Sequence, residues 1–135
     1  MLAKSHLRIA RPSNDLASLE HFYGGILGFE VVGSFVDHEG FDGIMLGHPN
    51  CSYHLEFTTH ADHPAPPAPS QEHLLVFYIP EKEVWEATIQ KLEALGLDPV
   101  VSLNPYWDRS GRTYEDPDGY RIVIQHGSWP VQSST

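Results

Sequence analysis

The order of strand-like and helix-like segments occurs twice along this chain, and this repetition most restricts the folds it can adopt. Tyr53-His-Leu-Glu-Phe-Thr58 and Tyr120-Arg-Ile-Val-Ile-Gln125 both alternate apolar and polar residues, as a strand with two unlike faces does. The same number of positions separates His6 from Glu56 and His73 from Val123. A spacing shared by two whole segments indicates a duplicated folding unit.

Each copy is predicted to have the order β-α-β-β-β. In the first copy, residues 5–11 form a strand, a helix from Leu16 ends at Gly28, and residues 29–37, 43–46 and 53–58 form strands. In the second copy, the predicted strands are 73–79, 99–103, 113–115 and 120–125, with a helix over 81–95. Asp116-Pro-Asp-Gly119 is predicted to be the tight turn before the last strand.

These patterns divide one domain, residues 1–135, into two modules. The first module covers about 5–59 and the second about 72–127. The segment 60–71 between them carries four of the eleven prolines and is predicted to be an exposed, stiff linker. The tail after residue 127 is predicted to fray.

The charge of the chain disfavours several classes of partner. It has 8 Lys and Arg against 18 Asp and Glu, a formal net charge of −10, and no basic run, so we expect neither nucleic-acid nor membrane binding. The single cysteine, Cys51, cannot form an internal disulfide, and we find no signal peptide or membrane span, so a cytoplasmic location is expected. Nine histidines favour metal binding or proton transfer without establishing either.

Several short motifs give the chain a recognisable resemblance. They are Asn14-Asp-Leu16, Phe22-Tyr23 with Leu27-Gly-Phe-Glu30, Tyr53-His-Leu-Glu56, His73-Leu-Leu-Val-Phe77 and Asp116-Pro-Asp-Gly-Tyr120. With these motifs the chain resembles the vicinal oxygen chelate superfamily, which includes glyoxalase I, bleomycin resistance proteins, fosfomycin-modifying enzymes and extradiol dioxygenases. The resemblance implies an α+β fold in which two βαβββ modules form an open cleft, and it implies a homodimer.

The resemblance also implies where a divalent metal ion would bind. Metal-using members take ligands from the first and last strands of each module, which correspond here to His6, Glu56, His73 and Val123. Valine cannot ligate a metal, so only His6, Glu56 and His73 remain as a three-ligand set, which manganese, iron, zinc and nickel would all suit. The alternative is that Glu56 forms an ion pair with Arg8 or Arg121 and binds no metal.

Other residues are candidates for holding or transforming a substrate. His54 and Glu56 share a strand face and are the candidate catalytic pair. The candidate substrate-binding residues are Arg8, Tyr106, Trp107, Arg109, Arg112 and Gln125. Tyr106 and Trp107 would cap the cleft, and Arg109 and Arg112 would hold a carboxylate or phosphate. Alternatively, Trp107 is a core residue, and Arg109 and Arg112 pair with Asp108, Glu115 or Asp116.

Two functions therefore follow from the sequence. The first is a metal-dependent lyase or isomerase acting on a small oxygen-rich molecule, with a dioxygenase disfavoured by Val123. The second is a metal-free protein that binds and sequesters a drug-like or aromatic molecule. The residues select neither the substrate nor the metal.

Overall fold

The computed structural model describes residues 2–129 and divides them into two compact units, one up to Pro66 and one from Pro67. Most of the tail that is predicted to fray, residues 130–135, lies outside the described residues. No helix between residues 2 and 129 combines the length and hydrophobicity needed to cross a bilayer.

The first unit consists of one four-stranded sheet and one helical segment. After a short 3-10 helix, Leu2–Lys4, its elements are β1 (Leu7–Pro12), α1 (Leu16–Leu19), a π-helical segment (Glu20–Ile26), β2 (Glu30–His38), β3 (Phe41–Gly47) and β4 (Tyr53–His60). The strand order is β1-β4-β3-β2, with β1 parallel to β4 and the other neighbours antiparallel.

Local chemistry explains where the first helical segment begins and ends. The Asp15 side chain accepts a hydrogen bond from the Ser18 backbone N–H at 3.1 Å, as an N-cap residue does. Gly28 has a φ of +85° at the end of the segment, which a residue without a Cβ adopts readily. The predicted helix is therefore present, but from Glu20 it winds as a π-helix, a form that spacing of apolar residues does not distinguish from an α-helix.

The helical segment covers one face of the first sheet, and His54 and Glu56 lie on the other face. Tyr23 is fully buried and its ring stacks on Phe57 with 5.0 Å between ring centroids. Leu55 and Phe57 are both 2% exposed, as the alternating pattern of β4 predicts. Because successive side chains of a strand point to opposite faces, His54 and Glu56 lie on the face away from this core.

The second unit has a three-stranded sheet. Its elements are β5 (Leu74–Ile79), α2 (Lys82–Ala94), α3 (Tyr106–Arg109), β6 (Gly111–Glu115) and β7 (Arg121–His126). The strand order is β5-β7-β6, with β5 parallel to β7 and β6 antiparallel to it. Ile122, Val123 and Ile124 in the central strand are all nearly inaccessible to solvent.

The predicted strand over 99–103 is wrong. Only one isolated bridge, between Val100 and Thr113, forms in this segment. Side chains bind the backbone groups that follow: Arg121 Nη1 donates to the Val101 carbonyl oxygen at 3.1 Å, and the Asp108 carboxylate accepts from the Ser102 N–H at 3.2 Å. These bonds satisfy backbone groups that a strand ladder would otherwise use.

The tight turn before β7 is confirmed. Gly119 has a φ of +86°, and its N–H donates to the Asp116 carbonyl oxygen at 3.0 Å. The Asp116 side-chain Oδ1 also accepts from the backbone N–H groups of Asp118 and Tyr120, at 2.9 and 3.0 Å. The α+β fold class with two sheets is confirmed as well, with the second module one strand shorter than predicted.

Candidate functional site

Four of the predicted site residues form one hydrogen-bonded chain on the polar face of the first sheet. Arg8 Nη1 lies 3.0 Å from Glu56 Oε2, and Arg8 Nε lies 2.8 Å from His54 Nε2. The other ring nitrogen of His54, Nδ1, lies 2.6 Å from His6 Nε2. The parallel pairing of β1 with β4, in register Arg8 to His54 and Ala10 to Glu56, places these side chains together.

The arginine fixes the direction of every hydrogen bond in this chain. A guanidinium can only donate, so His54 Nε2 must accept and the proton of that imidazole must be on Nδ1. His54 Nδ1 then donates to His6 Nε2, and the His6 proton is on its own Nδ1. Both imidazoles are therefore neutral while the chain is intact, and the Nδ1–H of His6 is its terminal donor.

The electrostatic environment of His54 agrees with this assignment. Burial lowers the pKa of His54 below its ordinary value, and the positive charge of Arg8 lowers it further. Glu56 raises the same pKa, but it is the smallest of the causes. The neutral form is therefore favoured by both the geometry and the charges around the ring.

The ion pair joins the half-exposed guanidinium of Arg8 to the largely buried carboxylate of Glu56. The Glu56 side chain is 12% exposed and that of Arg8 is 47% exposed. Two of the five N–H groups of Arg8 have protein acceptors among residues 2–129, so three are available to solvent or a ligand. The pair thus holds a cationic group at the surface with most of its donors unused.

Apolar side chains border this polar chain on the same sheet face. Met45 is directly opposite Glu56 in the antiparallel pairing of β3 with β4, and directly opposed residues share a face. Phe35, on β2, lies over Gly43, where an added Cβ would come within 2.3 Å of its ring. Phe35 and Met45 are both half-buried, so the face offers an apolar surface next to the donors.

The donor atoms of the first unit do not fit a divalent metal ion in this arrangement. His6 Nε2 and Glu56 Oε2 both accept hydrogen bonds, and the positive charge of Arg8 lies where a cation would approach Glu56. Within residues 2–129, no group of three or more His, Cys, Asp or Glu side chains is arranged to hold a metal ion. In the second unit, His73 Nδ1 lies 2.8 Å from Ser70 Oγ, and Val123 is fully buried.

The predicted arginines of the second unit lie in different environments. The guanidinium of Arg112 stacks on the Trp85 ring at 5.2 Å from its centroid, on the helix-covered side of the sheet. Arg109 is exposed at the end of α3. Arg121, the alternative partner for Glu56, instead binds Glu115 at 3.0 Å. All three arginines belong to the second unit, whereas the His6–Glu56 chain belongs to the first.

The remaining predicted residues line two cavities of the second unit. Tyr106 and Gln125 line one of about 300 Å³, and Trp107, which is half-buried, lines another of about 100 Å³. Tyr78 and Ser110, which also line the larger cavity, were not predicted. The pairing of β5 with β7 places Tyr78 beside Gln125, and the alternation within a single strand does not show this neighbour.

The apolar border of the first site was also missed. Phe35 and Met45 each lie opposite a glycine of the neighbouring strand, Gly43 and Gly33 respectively, which leaves space for the side chain. Sequence alone does not show which strands are neighbours, so this pairing could not be found from the pattern of one strand.

Two protein-family models match the chain and together cover most of it. The model of the YycE-like N-terminal domain matches residues 7–58, and that of the YycE-like C-terminal domain matches residues 72–126. The YycE protein of Bacillus subtilis (strain 168) is 43% identical to this chain over 122 residues, which are 90% of this chain and 88% of that protein.

Solved structures show the same fold. A crystal structure of a YycE protein from Bacillus subtilis has a TM-score of 0.84 at 41% identity, covering 97% of this chain and 94% of that one. The trypanothione-dependent glyoxalase I of Leishmania major has a TM-score of 0.71 at 16% identity, covering 91% and 86%. TnmS3, an antibiotic binding protein from Streptomyces sp. CB03234, has a TM-score of 0.64 at 18% identity, covering 92% and 95%.

Proposed function

This chain belongs to the YycE-like family and has the fold of the vicinal oxygen chelate superfamily, and from this premise we propose that its first sheet binds a small organic molecule without a metal ion. The observation that carries the proposal is the double engagement of Arg8, which donates to both His54 and Glu56. The guanidinium supplies the positive charge that a metal ion would otherwise bring to this face, and it uses atoms that a metal would need.

The free donors define the polar part of the ligand. The three unused N–H groups of Arg8 and the Nδ1–H of His6 all donate, so they recognise oxygen acceptors such as a carboxylate or a carbonyl group. Phe35 and Met45 provide contact for an apolar or aromatic body beside those donors. We therefore propose an amphipathic ligand, with an oxygen-bearing end at Arg8 and an apolar body over the sheet.

The similarity in fold to a binding protein supports a function in binding rather than catalysis. TnmS3, which shares the fold, is an antibiotic binding protein. In the proposed mechanism, the neutral imidazoles of His6 and His54 orient Arg8 and contribute a donor, and Glu56 holds the guanidinium in place. No bond of the ligand is made or broken, so affinity and sequestration are the function.

A matched pair of variants tests this proposal. Benzoate, an aromatic carboxylate, is the probe, and a ¹H–¹⁵N NMR titration of the full chain measures its affinity and locates its site. We expect benzoate to shift the resonances of Arg8 and His54, and Arg8→Met to weaken binding by about 10- to 100-fold, the worth of a charge-assisted hydrogen bond of about 1.5–3 kcal/mol. Arg109→Met removes an exposed arginine elsewhere and is the control, which we expect to leave affinity unchanged.

Metal dependence is tested in the same experiment. The proposal requires benzoate binding to survive chelator and purified protein to lack stoichiometric metal. The second candidate function, a metal-dependent lyase or isomerase using His6, Glu56 and His73, stays a prediction, and it is favoured by His6 and Glu56 meeting in one hydrogen-bonded chain. Stoichiometric metal that disappears in Glu56→Ala, together with chelator-sensitive binding, would replace the first proposal by the second.

Assembly and location are also proposals. We propose a cytoplasmic homodimer, on the strength of the single cysteine and of the superfamily relationship. Light scattering coupled to size-exclusion chromatography measures the assembly directly, and a monomer mass would contradict it.

A further inference from the structure

The second unit contains a cavity of about 300 Å³, and its lining residues differ from those of the Arg8 site. Tyr78 and Gln125 line it from the neighbouring strands β5 and β7, and Tyr106 and Ser110 line it from the segment around α3. All of these residues belong to the second unit, whereas Arg8, His54 and Glu56 belong to the first. The volume is at the lower end of small-molecule sites and suits a compound with a single ring.

A buried amide beside this cavity lacks a hydrogen-bond partner. Gln125 is 7% exposed, and its Oε1 is a buried atom with no partner among the described residues. Opposite it in the sheet is Gly111, where an added Cβ would lie 2.4 Å from Gln125 Oε1 and 2.7 Å from the Trp107 carbonyl oxygen. The glycine therefore makes room for the amide. The nearby Trp107 carbonyl oxygen, however, is an acceptor like Gln125 Oε1, so neither oxygen can donate to the other.

A half-turn of the amide resolves this conflict. The last torsion of glutamine has a broad energy profile, and its oxygen and nitrogen ends have nearly the same shape. After the turn, the Nε2 group of Gln125 is on the side of the Trp107 carbonyl oxygen, to which it can donate. Oε1 then takes the place of Nε2 at the cavity that Gln125 lines, where a ligand or water can donate to it.

We infer that this cavity is a binding site for an aromatic compound carrying a nitrogen hydrogen-bond donor, which binds Gln125 Oε1 and packs between Tyr78 and Tyr106. Tyr78 is 38% exposed and Tyr106 is 47% exposed, so both rings are available for contact. Among residues 2–129 no Lys or Arg lines the cavity, and the formal net charge of the chain is −10, so a cationic donor is favoured over an anion. The cavity is thus expected to prefer a cationic hydrogen-bond donor, whereas the Arg8 site is expected to prefer an oxygen acceptor.

Two probes of the same size and opposite hydrogen-bonding character test this site. Benzamidine carries N–H donors on a benzene ring, whereas benzoate carries only acceptors on the same ring. In a ¹H–¹⁵N NMR titration of the full chain, we expect benzamidine to shift the side-chain amide of Gln125 and the backbone of Ser110. Benzoate is expected to leave both unchanged, whether or not it binds at Arg8.

Variants separate the amide from the general shape of the cavity. Gln125→Leu keeps a similar volume without the acceptor, and we expect it to weaken benzamidine binding about tenfold or more. Gln90→Leu, the same change on the exposed surface of α2, is the control and should have no effect. If Gln125→Leu is not folded, Tyr106→Ala, which truncates a half-exposed ring, should weaken benzamidine binding several-fold.

Three results would overturn the inference. They are benzamidine shifts that fall outside the cavity, an affinity for benzoate at Gln125 equal to that for benzamidine, and unchanged benzamidine binding in folded Gln125→Leu. None of these results concerns Arg8→Met, so the proposal for the first sheet is tested independently.

Discussion

Arg8 and Glu56 form an ion pair, and we predict that removing Arg8 destabilises the fold more than neutralising Glu56. Arg8→Met leaves the Glu56 carboxylate, 12% exposed, without its cationic partner. A buried polar group that loses its partner costs about 1–3 kcal/mol, so we expect a loss of that order in the free energy of unfolding. Glu56→Gln keeps an oxygen acceptor for Arg8, and the 47% exposed guanidinium remains hydrated, so its cost is expected to be below about 1 kcal/mol.

The direct coupling between the two side chains follows from their distance and exposure. Arg8 Nη1 and Glu56 Oε2 are 3.0 Å apart. Unit charges about 4 Å apart attract by about 1 kcal/mol in water and about 4 kcal/mol at a protein surface of lower dielectric. Because half of the arginine is in solvent, the lower limit is appropriate, and we expect the double variant to be less destabilised than the sum of the single variants by about 1 kcal/mol.

Urea denaturation of the wild type, both single variants and the double variant measures all these quantities in one series. Equal denaturant slopes would show that the variants share the same unfolding transition. Arg109→Met again serves as the control, because that arginine is exposed and we expect a change within about 0.5 kcal/mol. If Glu56→Gln cost as much as Arg8→Met and the coupling were zero, the ion pair would not be what holds Arg8 in position.

Further measurements test other parts of the structure. Because the pKa of His54 is lowered in the folded state, the unfolded chain binds the proton more strongly, so the stabilisation is complete above the ordinary pKa of about 6.5 and is lost as the pH falls from there through the lower pKa of the folded state. His54→Gln should flatten the decrease in urea stability between neutral and mildly acid pH. Gly119→Ala should cost about 1 kcal/mol in thermal unfolding, since φ is +86° although the added Cβ has space, whereas Gly127→Ala should be nearly neutral. Arg112→Met should cost about 0.5–1 kcal/mol by removing the stack on Trp85, and should leave benzoate affinity unchanged.

Much of the first unit could be predicted because local patterns carry the information. The alternation in β4 puts Leu55 and Phe57 in the core and leaves His54 and Glu56 on the opposite face, as observed. The same reasoning was weaker for β7, where both faces are buried and Val123 is as inaccessible as Ile122. A strand covered on both sides gives no exposed face from which its orientation can be inferred.

The second unit shows where local patterns fail. Residues 99–103 have the composition of a strand, but the side chains of Arg121 and Asp108 bind their backbone groups and leave a single bridge. Arg112 was expected to face a ligand, and the register of β6 with β7 instead puts it beside Ile124, on the side of Trp85. Both outcomes depend on contacts between residues that are distant in sequence.

The sequence by itself determined the order of elements except for the strand over 99–103, together with the capping and turn residues and the two faces of β4. These features depend on the periodicity of side chains and on the conformations that Asp and Gly allow, which neighbouring residues set. Only the tertiary structure decided which partner Glu56 takes, because Arg8 is 48 positions away and reaches it through the parallel pairing of β1 with β4. That pairing also joins His54 to His6, and so converts separate candidate residues into one chain of donors and acceptors.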